Sequence, residues 1–157
     1  VALAQQEESK AKNGETVILK AGTNISAQLS QTLDAETAKS GDDFLMTLTE
    51  DVTGAGITFA KGTELLGRVV RAKSVDSAGN ISEISLSFDY LKSGEDYLRF
   101  KAVIVSGTTS GIKLAGVNFE PSEIFKYATV VSTKGKNLKI EAGLVCLLRL
   151  EQDLIKP

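Results

Sequence analysis

The sequence predicts an all-β fold: a closed or nearly closed barrel or sandwich of about eight to ten short, mostly antiparallel strands, with at most one or two short helical turns. Three observations predict it. Short runs of alternating apolar and polar residues recur along the chain, as in Phe44, Met46 and Leu48 against Leu45, Thr47 and Thr49. Gly-bearing bends join such runs at Lys20-Ala21-Gly22-Thr23, Ala60-Lys61-Gly62-Thr63 and Glu141-Ala142-Gly143-Leu144. Finally, the first and last ribbons repeat one another at a constant offset, which sets Leu138 on Val17, Ile140 on Leu19, Gly143 on Gly22 and Leu150 on Leu29. Two copies of one bent ribbon at the chain ends are suited to lie side by side and close a sheet upon itself.

The elements follow in order. Val17 and Leu19 form a short strand, Gly22 bends it, and Ile25, Ala27 and Leu29 alternate with polar neighbours in the next. Asp34 is placed to cap a turn or two of helix before Ser40-Gly41-Asp42-Asp43 turns the chain. The strand of Phe44, Met46 and Leu48 leads through Gly54-Ala55-Gly56 to Ile57 and Phe59, and Gly62 bends the chain into Leu65 to Val70. That run has few polar positions and reads as a central strand; Gly67 within it is taken as a further structural bend, with Gly22, Gly62 and Gly143. Residues 74–80 are a loop of turn formers. Ile84, Leu86, Phe88 and Tyr90 then point inward, and Lys92-Ser93-Gly94-Glu95 closes a hairpin onto Leu98, Phe100, Ala102 and Ile104. Residues 106–121 read as an irregular Gly-, Ser- and Thr-bearing loop, and Leu138 to Leu154 as the final strand pair.

A chain of 157 residues is one domain. Residues 16–157 are its barrel. Residues 1–15 read as a flexible leader, in which Ala2-Leu3-Ala4 before Gln5-Gln6-Glu7-Glu8 has the small-x-small pattern of a signal-peptide junction followed by a polar tail. No stretch approaches the roughly 20 apolar residues of a transmembrane helix. With 18 basic against 20 acidic residues there is no global field to attract nucleic acid. The lysines at 126, 134, 136 and 139 read as a solvated edge.

The chemistry-bearing residues are sparse. There is no histidine, which removes the usual general base and the commonest transition-metal ligand. The single cysteine, Cys146, sits among Leu144, Val145, Leu147 and Leu148 and reads as a small buried hydrophobe. Adjacent carboxylates at Asp42/Asp43 and Glu50/Asp51 point to opposite sides of a strand, so neither pair converges on one bond. The turn from Asp76 to Asn80 supplies too few oxygen ligands for calcium. No catalytic, cofactor-binding or metal-binding residue is assigned, and no cofactor is expected.

The block Leu19-Lys20-Ala21-Gly22-Thr23, Lys39-Ser40-Gly41-Asp42-Asp43-Phe44, Thr49-Glu50-Asp51-Val52 and Ala60-Lys61-Gly62-Thr63-Glu64-Leu65-Leu66-Gly67-Arg68-Val69 resembles the β-barrel domain of TrbI-type conjugal-transfer scaffolds of type IV secretion systems. It is similar also to a group of exported, uncharacterised bacterial envelope proteins that share this block. The resemblance implies a β-barrel that assembles instead of catalysing, in the periplasm or secreted. The secretion scaffolds insert an apolar two-helix antenna into the barrel to form an outer-membrane pore; here residues 106–128 are polar and short. The expectation is a non-enzymatic, exported envelope scaffold or interaction module that binds other envelope proteins or itself. The alternative is a small-ligand carrier of lipids or metabolites that uses the barrel mouth, with residues 106–121 as its lid.

Overall fold

The computed structural model describes residues 14–75 and 80–156. The leader junction at residues 1–13 and the centre of the expected turn, residues 76–79, lie outside the described residues. All regular structure in the described residues is strand, and every pairing is antiparallel. The chain opens with β1 (Thr16–Leu19), β2 (Asn24–Leu29), the two-residue β3 (Leu33–Asp34) and β4 (Asp43–Leu48). The hairpin of β5 (Val52–Gly54) and β6 (Ile57–Phe59) leads to the long β7 (Glu64–Lys73) and β8 (Ile81–Ser93). Then come β9 (Asp96–Arg99), β10 (Ala102–Thr109), β11 (Ile112–Lys113), β12 (Asn118–Pro121), β13 (Ala128–Lys134), β14 (Lys139–Ile140), β15 (Val145–Leu150) and β16 (Leu154–Lys156).

The expected helix at Asp34 is a single turn. Ala38 N donates to Asp34 O at 2.7 Å, and the Asp34 carboxylate accepts Glu36 N at 2.9 Å. Residues 106–121, expected to be an irregular loop, instead carry the end of β10 and all of β11 and β12. Gly-rich turns hid the strands because they leave each apolar run too short to show a period.

Four turns organise the sheet. At residues 20–23, 39–42, 60–63 and 141–144 the fourth residue's N–H reaches back to the first residue's carbonyl at 3.0–3.3 Å. The third residue is Gly with φ between 93° and 96° at Gly22, Gly41, Gly62 and Gly143, the position where a type II turn needs a residue free of a Cβ clash. Each glycine then donates its N–H to another strand, at that strand's last residue in three cases and within β7 in the fourth. Gly22 N bonds Leu150 O at 2.7 Å, and reciprocally Gly143 N bonds Leu29 O at 2.8 Å. Gly62 N bonds Leu48 O at 2.8 Å, and reciprocally Gly41 N bonds Val69 O at 2.8 Å. The return bonds match: Leu150 N to Thr23 O, Leu29 N to Leu144 O, Leu48 N to Thr63 O and Val69 N to Asp42 O, at 2.7–2.9 Å.

The terminal ribbons therefore lie side by side, β1 on β16 and β2 on β15. They do not close the barrel. In the ten-stranded main sheet the order is β11-β10-β15-β2-β4-β7-β8-β13-β12, with β9 added on β8, so the paired β15 and β2 lie inside the ladder and not at its ends. The sheet curls into an open half-barrel, and smaller sheets (β1 with β16, β3 with β14, β5 with β6) accompany it. A closed barrel requires the last strand to ladder onto the first; here β11 and β12 end the ladder instead.

The interior is solid. Phe44, Phe88 and Phe100 are fully buried in a chain of edge-to-face contacts, with ring centres 5.3 and 5.5 Å apart. Gly67, expected as a bend, lies within β7 at a register irregularity, directly beneath the Phe44 ring. A Cβ there would overlap the ring and stand 2.7 Å from Ser87 O. In β8 the alternation holds through Ile84, Leu86 and Phe88 and then breaks: Gly67 pairs with Phe88 and Leu66 with Tyr90, leaving Asp89 as an extra residue. The phase slips by one, so Leu91 is buried and Tyr90 is exposed, against the inward placement expected for Tyr90.

These contacts set a difference between two kinds of glycine. Gly67→Ala is expected to destabilise the chain by about 3 kcal/mol or more through overpacking, whereas Gly62→Ala costs about 1–2 kcal/mol of backbone strain. Urea unfolding of the two variants beside the parent chain checks the order.

Candidate interaction surface

The place where the sheet fails to close is the most unusual surface of the molecule. On one side stands β10, laddered to β15 and, at its end, to β11; on the other stand β13 and β12. Side chains join the two sides where backbone does not. The buried Thr129 hydroxyl of β13 accepts the Ile104 N–H of β10 at 2.7 Å, and Thr133 Oγ1 donates to Gly116 O at 2.8 Å. Gly107 of β10 is packed so closely that a Cβ would lie 2.8 Å from the Phe119 ring of β12. A hydroxyl that satisfies a buried amide avoids the cost of leaving that donor unpaired.

Outside this seam runs a groove of about 140 Å³ lined by Val105, Leu114, Val117 and Phe119, with Lys113 at its rim. Val105 falls at a register shift in β10, between Ile104 opposite Leu148 and Ser106 opposite Leu147. The extra residue turns Val105 to solvent beside Leu147, and the two are 42% and 39% exposed. Ile112 in β11 and Ile124 in the turn after β12 are each 72% exposed. Exposed apolar side chains of this kind, on and beside the elements that end the sheet, offer apolar area to a second surface.

The residues singled out in the sequence fall elsewhere. Gly22, Gly62 and Gly143 hold the strand locks, together with Gly41. Three locks carry one further bond that the sequence reading missed: Ala21 N to Asp153 Oδ1 at 2.8 Å, Ala142 N to Thr32 Oγ1 at 3.2 Å and Lys61 N to Asp51 Oδ1 at 2.7 Å. The acceptor always stands three residues beyond the locked strand end, and that spacing was the signal. Asp51, though exposed, thus serves as a turn acceptor. Asp34, Asp42 and Asp43 line one shallow recess of about 310 Å³, where Asp42 Oδ2 accepts Lys39 N at 2.8 Å. No three His, Cys, Asp or Glu side chains among the described residues are grouped to hold a metal ion. Lys134, Lys136 and Lys139 are exposed, and Lys126 stands 5.0 Å from the centre of the Tyr127 ring. No helix among the described residues is long and apolar enough to cross a membrane.

Cys146 faces the core from β15, and burial pushes its thiol up from the ordinary 9.0 to about 12. The folded chain keeps a proton that the unfolded chain releases above 9.0. The associated stability is complete below that pH and is lost as pH rises toward about 12. Denaturant unfolding at rising alkaline pH should show this decline in the parent chain, and Cys146→Ala should lack that part of it. The folded thiol should also resist alkylating reagents at neutral pH and react once the chain is unfolded. No protein-family model matches the chain, and no curated protein is significantly similar to it.

Proposed function

We propose that this chain is a non-enzymatic interaction module, an exported scaffold of the bacterial cell envelope that works by associating with itself or with neighbouring envelope proteins. The observation that carries the reading is the set of large apolar side chains turned outward on and near the open seam, Val105 and Leu147 on β10 and β15 and Ile112 and Ile124 in and after the edge strands. Nothing in the core requires those side chains there, since the interior is filled by the three edge-to-face phenylalanines and the leucines around them. Placement in the envelope rests on the resemblance of residues 17–105 to TrbI-type barrels, which are assembly elements.

The non-enzymatic part is supported by the composition and by the one nucleophile. A chain without histidine, whose only thiol is buried and held protonated, has no paired nucleophile and base of the usual kind. Filled space supports association over carriage in the same way, because a ligand inside the half-barrel would have to displace packed side chains at a cost of several kcal/mol.

Sedimentation velocity over a wide concentration range tests the proposal. The parent chain is expected to gain mass with concentration, and the double variant Val105→Asp, Leu147→Asp to remain a single species with unchanged far-ultraviolet dichroism. A parent chain that stays monomeric throughout, yet melts at higher temperature with a member of a lipid or metabolite panel, would replace this reading with that of a carrier.

A further inference from the structure

A second feature lies away from the seam, on the outer side of β7, β8 and β9. There a recess of about 260 Å³ is lined by Arg68, Asp89, Tyr90, Arg99 and Lys101. We propose that this recess binds a phosphate monoester: a doubly charged oxyanion carried on a small organic group.

Its origin is the β8 irregularity. The extra residue Asp89 shifts the phase, so Tyr90 points outward and stands opposite Arg99 of β9, while Arg68 of β7 stands opposite Ser87. Asp89 O accepts Phe100 N at 2.9 Å, which bends the chain after β9 and brings Lys101 back toward β8. Lys101 is held there. Its ammonium donates to Phe88 O at 2.9 Å and lies 3.5 Å from Asp89 Oδ1, with the side chain only 14% exposed. Cationic groups therefore converge from three segments onto one outward-facing recess.

The charge is unbalanced. Three cations share the single carboxylate of Asp89, a local excess of two positive charges on a chain whose formal net charge is −2. Arg68 Nε is 3.8 Å from Asp89 Oδ1, beyond hydrogen-bond length, so the guanidinium fork is not consumed by that pair. The Arg99 side chain is exposed and has no ion-pair or hydrogen-bond partner among the described residues. Two guanidinium forks and a fixed ammonium present more donors than one carboxylate has lone pairs to receive. A terminal phosphate, with three oxygens and a charge of about −1.5 to −2 at neutral pH, matches both the donors and the charge.

One wall is aromatic. Tyr90 lines the recess and is 47% exposed, offering the organic part of a ligand a ring beside the cations, and Tyr97, outside the lining, braces it edge to face at 6.2 Å. The volume is slightly below the roughly 300–1,000 Å³ of pockets for drug-sized ligands, which suits one phosphorylated headgroup.

Amide-resolved NMR titration of the whole chain at low salt, with phenyl phosphate, inorganic phosphate and acetate as probes, tests this. Saturable shifts are expected at Arg68, Tyr90, Arg99 and Lys101, strongest for phenyl phosphate and weakest for acetate. Arg68→Gln and Arg99→Gln should each weaken phenyl phosphate binding by about tenfold or more, while Arg71→Gln, which does not line the recess, leaves it unchanged. Binding should also fade as pH falls through about 6, where the phosphate takes up its second proton. The proposal is overturned if acetate binds as tightly as the phosphates, if the Arg68→Gln, Arg99→Gln double variant binds like the parent while folding normally, or if no saturable shift occurs. Inorganic phosphate binding as tightly as phenyl phosphate overturns the organic part and the role of the tyrosines. The outcome is independent of association at the seam, because the recess and the seam share no residues.

Discussion

Eight backbone hydrogen bonds at four glycine turns hold the centre of this molecule in register. At Gly22 and Gly143, and again at Gly41 and Gly62, a glycine amide reaches across to a carbonyl of a partner strand, and the same residue's amide returns a bond to the residue after the glycine. The arrangement is reciprocal within each pair, so neither strand can slide without breaking both ends. A slip of one residue would turn every buried side chain of the strand to the other side. The positions of Ile25, Ala27 and Leu29, of Phe44, Met46 and Leu48, and of Cys146, Leu148 and Leu150 in the core all follow from these bonds.

Away from the locks the sheet is looser, and the surfaces with functional potential lie there. β8 slips phase at Asp89, β10 slips at Val105, and each irregularity turns a large side chain outward: Tyr90 in the first case, Val105 in the second. One builds the wall of a cationic recess, and the other builds an apolar patch. A bulge costs some ladder bonding but re-aims a side chain without altering the strands on either side. The open seam follows the same logic, since a Thr129 hydroxyl and a close Gly107–Phe119 contact stand in for the missing ladder while the edges stay available.

Much of the frame was legible because local rules governed it. The alternating runs foretold the buried residues of β2, β4 and most of β8, and the repeat foretold that the terminal ribbons would pair. The turn at Ser40-Gly41-Asp42-Asp43 was legible too, but not its kinship with the other three, because Lys39-Ser40-Gly41-Asp42 lacks an alternating run before it. The candidate surfaces were not legible. Arg99 and Lys101 are two residues apart, but Arg68 is some thirty residues away, and nothing in the spacing announces that a one-residue slip in β8 will gather all three.

The sequence by itself determined the strand content, the turns where only glycine avoids a Cβ clash, and which side of most strands is apolar. Those depend on a residue and its near neighbours. The tertiary structure alone decided that the paired β2 and β15 lie inside the sheet instead of at its seam, that Gly67 makes room for the Phe44 ring, and that the ladder stops at β11 and β12. Such outcomes depend on register and curl summed over many strands, and no short window of residues carries that sum.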